Sequence, residues 1–68
     1  MVKLIVRIYP DNREVVIDTK SGCGREVIRL LGYSSESVVL VYKGKPVLED
    51  TCFNDGDEVE VYVATSGG

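Results

Sequence analysis

The chain has no histidine, no tryptophan, one phenylalanine and two cysteines, Cys23 and Cys52. Without histidine, and with its cysteines isolated, it cannot assemble the usual ligand spacings for zinc or an iron–sulfur cluster. Two cysteines fall short of the four or more that staple small secreted scaffolds, so no disulfide framework is expected. A basic excess is also missing. Eight lysines and arginines face eleven aspartates and glutamates, for a net charge of −3. Nucleic-acid binders draw affinity from neutralising phosphates, and peripheral membrane proteins use similar basic patches. Neither role is expected. No apolar run approaches the ~20 residues of a membrane span. Met1 is followed at once by an alternating run holding Lys3 and Arg7, so no secretory leader is expected and the cytoplasm is the expected compartment.

With 68 residues there is material for one small domain. Such a domain buries only ~60% of the surface its unfolded chain exposes. Substrate pockets usually take ~300 Å³ or more, which so small a core can hardly spare. A binding or carrier module is therefore expected, not an enzyme. The apolar fraction of 44% argues against disorder. A mildly acidic chain suits a basic partner surface.

Met1 to Tyr9 alternates with period two. Val2, Leu4, Val6 and Ile8 share one face; Lys3, Ile5, Arg7 and Tyr9 share the other. Pro10-Asp11-Asn12 is a run of turn formers, and Arg13 to Asp18 resumes the alternation with Val15 and Ile17 inward. Together they predict an antiparallel hairpin. From Cys23 to Leu31 the period lengthens, and Val27, Ile28, Leu30 and Leu31 gather on one helical stripe. Gly32 suits a left-handed stop, which predicts a short helix over 24–31. Gly22 and Gly24 would weaken that helix if they lay inside it.

Cys23-x-x-Glu26 has the spacing of a capping box, with a thiol in place of the hydroxyl; Ser21 is the other candidate cap. A cysteine near a helix N-terminus can be a reactive thiol. The plainer reading, preferred here, makes Cys23 a cap substitute and Cys52 a loop residue without a role.

Val38 to Lys43 predicts a strand, Lys43-Gly44-Lys45-Pro46 a turn, and Val47-Leu48 a brief edge strand. Phe53 anchors a loop. Asn54-Asp55-Gly56-Asp57 forms a turn, and Val59, Val61 and Val63 alternate through a last strand. The first and last strands can pair in parallel at the centre of one sheet, with the helix over one face. That is an α+β two-layer sandwich. Residues 1–64 form the expected domain. Residues 65–68, all small, form an expected mobile tail.

Four segments carry a resemblance to a known family: Leu30-Leu31-Gly32-Tyr33 with Ser34 to Ser37, Tyr42-Lys43-Gly44-Lys45-Pro46-Val47, Asp55-Gly56-Asp57-Glu58-Val59-Glu60-Val61, and the terminal Gly67-Gly68. In this order they resemble the ubiquitin-like β-grasp proteins. More narrowly, they resemble the prokaryotic sulfur carriers: the thiamin-pathway carrier ThiS, the molybdopterin-synthase small subunit MoaD and the small archaeal modifier proteins. The resemblance implies a mixed four- to five-stranded sheet with one helix on one face. Where these families commonly place Thr-Val at the helix entrance, this chain has Cys23-Gly24, an expected loss of one apolar core contact.

The resemblance also implies a function. The Gly68 carboxylate would be adenylated by an E1-like partner enzyme that uses ATP, the carrier itself binding no cofactor. Sulfur would then give a thiocarboxylate for thiamin, molybdopterin or tRNA thiolation. Gly67, Ser66 and Thr65 would thread the partner's channel, because glycine lets backbone contacts close tightly. Two alternatives stay open: a protein modifier that forms isopeptide bonds with lysines of target proteins, and a docking domain with an inert tail. Lys20, Lys43 and Lys45 are possible acceptors should the protein form chains. The expected partners are the adenylating enzyme and either a sulfur-acceptor enzyme or lysine-bearing targets, met by a monomer. The implied register turns Val39 and Val41 outward with Glu60 and Tyr62. Val41 and Tyr62 would then form an apolar docking patch beside Lys3, Ile5 and Arg7.

Overall fold

The alternation of the first nine residues produces strand β1, Val2–Tyr9, with Leu4, Val6 and Ile8 buried on one side. The computed structural model describes residues 1–64. β2 (Arg13–Thr19) returns antiparallel to β1, pairing Leu4 with Ile17 and Val6 with Val15. A single helix, α1 (Gly24–Leu31), leads to β3 (Val38–Tyr42), β4 (Lys45–Val47) and β5 (Glu58–Val63). The strand order is β2-β1-β5-β3-β4. β1 and β5 run parallel at the centre, and the other neighbours are antiparallel. This is the expected β-grasp arrangement. No described helix is long and apolar enough to cross a membrane.

One core lies between sheet and helix. Leu4, Val6, Ile8, Val27, Ile28, Val38, Leu40, Phe53, Val59 and Val61 fill it. Burying a side chain of this size contributes roughly 1.5–3 kcal/mol, which must offset the entropy of ordering the chain. The helix shows only part of the expected stripe. Val27 and Ile28 are buried and Leu31 half-buried, but Leu30 is 51% exposed. At its C-terminus Gly32 takes φ 84°; its N–H donates to the Arg29 carbonyl, and the Tyr33 N–H donates to that of Ile28. These paired bonds satisfy carbonyls that the helix itself leaves open.

The short hairpin falls slightly earlier than expected. Lys43 and Gly44 both have positive φ and form a two-residue turn, so β4 begins at Lys45, and Leu48 lies outside it, 74% exposed. The loop after it returns Phe53 to the core. Beyond it, the Asp57 carboxylate accepts from the Asn54 N–H and the Tyr42 hydroxyl, both at 2.9 Å. The Asn54 N–H first, then the Tyr42 hydroxyl, holds Asp57 below the usual carboxylate range.

The two cysteines overturn their expected reading. Cys23 and Cys52 are bonded in a disulfide and are the paired residues of an isolated antiparallel bridge. Flanking them, the Gly24 N–H donates to the Thr51 carbonyl at 2.8 Å, and the Phe53 N–H donates to that of Gly22 at 2.7 Å. The Arg25 N–H donates to the Glu49 carbonyl at 2.6 Å. Loop carbonyls therefore satisfy the first helical amides, and the Cys23 side chain makes no cap bond. Glu26 reaches back instead to Ser21, accepting from its N–H at 3.0 Å and its hydroxyl at 2.8 Å.

The glycines around Cys23 have the same origin. A Cβ at Gly24 would stand 2.4 Å from Leu40 Cδ1 and 2.9 Å from the Glu49 carbonyl oxygen. One at Gly22 would meet the Phe53 carbonyl oxygen at 2.8 Å. The departure at the helix entrance is thus no simple loss of a core contact. It lets two backbone segments approach closely enough to pair.

Candidate partner-binding face

The sheet face opposite α1 carries the odd-numbered residues of β1 and their neighbours in register. Two rows matter. In the first, Arg7 stands opposite Glu14 and Glu60, and Glu60 opposite Val41. In the second, Tyr9 stands opposite Tyr62, and Tyr62 opposite Val39.

The second row is the apolar one. The Tyr9 and Tyr62 rings stack, with centroids 5.0 Å apart and planes 20° from parallel. Tyr62 is 43% exposed and Val39 is 47% exposed. An offset aromatic stack contributes about 0.5–1.5 kcal/mol beyond its buried area and fixes both rings. The result is a rigid apolar step near the end of β5. Partial burial, then the Glu60 carboxylate, pushes the Tyr62 phenol above its ordinary value, so its hydroxyl stays protonated near neutrality.

The expected patch therefore shifts. Val39, Val41, Glu60 and Tyr62 do share the open face, but Val41 is half-buried beside Glu60 and is not the register partner of Tyr62. Val39 and Tyr9 take that place. Tyr9 was missing from the expected patch, although the alternation already put it on the outer face. The missing information was the register between β1 and β5, strands about fifty residues apart whose pairing no local pattern specifies.

The first row is charged. Arg7 contacts Glu14 at 3.3 Å and Glu58 at 3.2 Å. Glu58 first, then Glu14, raises the Arg7 guanidinium above its ordinary value. These exposed pairs contribute little to stability. Their effect is to neutralise Arg7, so the face presents tyrosines beside a net acidic row. Ile5 lies farther along, opposite Val16, and Lys3 opposite Asp18.

β5, which carries Tyr62, ends at Val63, next to the start of β3. The Ala64 N–H donates to the Ser37 carbonyl at 2.7 Å, tying the end of the folded body to the loop before β3. Thr65, Ser66, Gly67 and Gly68, the expected recognition segment and attachment point, lie outside the described residues. Lys20, Lys43 and Lys45 are exposed.

No protein-family model matches the chain. Solved structures do. A computationally designed protein based on the template of human erythrocytic ubiquitin superposes over 100% of this chain and 98% of its own, with a TM-score of 0.68 and 19% identity. The fold is ubiquitin-like. The N-terminal ubiquitin-like domain of the 4931431F19Rik protein agrees, with a TM-score of 0.66 and 20% identity over 98% of this chain and 78% of its own. At such identities the likeness concerns the fold, and a ubiquitin-like fold hosts more than one function.

Proposed function

We propose that this ubiquitin-like domain is a sulfur carrier. Its Gly68 carboxylate is adenylated on an E1-like enzyme at the expense of ATP, then converted to a thiocarboxylate for delivery to a sulfur-acceptor enzyme. The chain is the substrate of these steps and not their catalyst. The observation that supports the reading is the combination of a ubiquitin-like body with the Gly67-Gly68 pair, which comes after Thr65 and Ser66 shortly beyond β5 in the sequence. Glycine fits the role because a channel can close on its backbone without meeting a side chain.

The Tyr9–Tyr62–Val39 step supports the same reading, since it stands where the last strand delivers the chain to the tail. An aromatic anchor beside an acidic row suits a partner surface that is apolar at its centre and basic at its rim. In this reading the domain docks through that step, and Thr65 to Gly68 enter the partner's active site.

The test is genetic and biochemical. In the native cell, deletion of Gly67-Gly68 should abolish one thiolated product, such as a thiolated tRNA or a sulfur-bearing cofactor. A ladder of lysine conjugates that vanishes with the deletion, with thiolation intact, would favour protein modification instead. Normal thiolation and no conjugates would leave a docking domain.

A further inference from the structure

We propose that the Cys23–Cys52 disulfide is a thiol-exchange site on the folded domain, opened by small monothiols of the glutathione class through attack on Cys52. The argument does not depend on the carrier reading. Disulfide exchange needs an in-line approach to the far side of one sulfur, and access decides which sulfur is attacked. Cys52 is exposed, in the loop that follows Asp50 and Thr51. Cys23 is half-buried in a surface groove whose other walls are Lys20, Ser21, Arg25, Glu26, Arg29 and Asp50. Cys52 therefore offers the free approach.

The charges favour the same direction. The sulfur that leaves must carry the negative charge of a thiolate. Around Cys23 the groove brings together Lys20, Arg29, Asp50 and Arg25, which pairs with Glu49 at 3.2 Å, while the Glu26 carboxylate is occupied by its two bonds from Ser21; Lys20 and Arg29 are the cations left over. Cationic surroundings stabilise a thiolate and so make Cys23 the better leaving group.

The steps balance. A glutathione thiolate attacks Cys52 Sγ, and the electron pair of the protein's S–S bond departs on Cys23 Sγ. A second glutathione thiolate attacks the glutathione sulfur of the mixed disulfide and releases Cys52 as a thiolate with glutathione disulfide. The protein disulfide gains two electrons, two glutathiones are oxidised, and their two protons end on the cysteines. The backbone around the site is prepared for both states. The bonds from Gly24 to Thr51 and from Phe53 to Gly22 bracket the bridge and are made by backbone atoms alone, using neither sulfur. They keep the two sulfurs adjacent for reoxidation.

The site is also remote from the Tyr9–Tyr62 stack. Gly22 packs on Val2 at the start of β1, whereas Tyr9 pairs with Tyr62 at its end. Exchange at the bridge therefore leaves the Tyr9–Tyr62 stack in place.

The experiment uses the oxidised 68-residue chain and reduced glutathione at rising concentration. Samples are quenched with acid, alkylated and mapped by tandem mass spectrometry. Attack on the folded state gives a rate proportional to thiol, about tenfold for a tenfold rise, with the first adduct on Cys52 and the alkyl group on Cys23. A rate that levels off at high glutathione, or one that rises steeply in sub-denaturing urea, would mean that the domain must unfold first, and would overturn the proposal. A first adduct on Cys23 would overturn the direction of attack, and with it the access argument.

Discussion

Replacing both cysteines by serine tests how much the unexpected bridge matters to so small a domain. The partners are separated by 29 positions in the chain. Closing a loop of about 30 residues in the unfolded chain removes entropy worth about 3.6 kcal/mol at room temperature in the chain-entropy account. The whole domain is expected to have a stability of only roughly 3–10 kcal/mol at typical per-residue values. The bridge is then a large share of the total. A domain of this size has an unfolding entropy that turns each kcal/mol into about 7 °C, so the melting midpoint should fall by roughly 25 °C. Residual structure in the unfolded chain reduces the measured effect, which makes this an upper value. The assay is a thermal melt followed by circular dichroism, comparing the oxidised protein with Cys23→Ser/Cys52→Ser and with the reduced, alkylated chain. The oxidised midpoint should be highest. Identical midpoints for all three would refute the reasoning, because a bridge formed in the native state cannot leave the unfolded ensemble unconstrained.

Three further outcomes follow from the packing and the charges. Gly24→Ala should destabilise by roughly 1–3 kcal/mol in a denaturant titration, because the new Cβ meets Leu40 and the Glu49 carbonyl; an unchanged midpoint would mean that the loop yields freely. Tyr62→Ser with Val39→Thr should weaken capture by an adenylating enzyme at least about tenfold, while loss of the Tyr9 stack, worth about 0.5–1.5 kcal/mol, lowers the thermal midpoint by about 4–10 °C and leaves the domain folded; equal capture would remove the apolar step from the docking surface. The pH dependence is set by Asp57 and Glu26, both held below their ordinary values, Asp57 first by the Asn54 N–H and Glu26 first by the Ser21 N–H. A depressed folded-state pKa gives stability that is fully present above the unfolded value near ~4 and is lost as pH falls through the folded one. Stability should therefore decline on the acid side of about pH 4, and Asp57→Asn with Glu26→Gln should flatten that slope. A slope unchanged in the double variant would count against these two groups.

Most of the fold was legible because local patterns and burial agree. Alternation in β1 and β5, the stripe of Val27 and Ile28 and the stop at Gly32 each name one element, and the structure contains all of them. What escaped depends on distant pairing. Cys23 and Cys52 look isolated in sequence, and only the return of the 49–53 loop to the helix entrance joins them. Gly22 and Gly24 were a clue, since two glycines flanking a cysteine suit a close backbone approach, but their partner could not be read from the chain. Similarly, the outward faces of Tyr9 and Tyr62 were readable one strand at a time, whereas their stacking required the parallel register of β1 with β5.

The carrier reading stands on one atom. Intact mass spectrometry of the protein isolated from its native cell measures it directly. The account predicts a fraction of the chain heavier by the difference between sulfur and oxygen, with tandem fragmentation placing that gain on Gly68. A population with an unmodified carboxylate throughout, from cells actively making thiolated products, would contradict it.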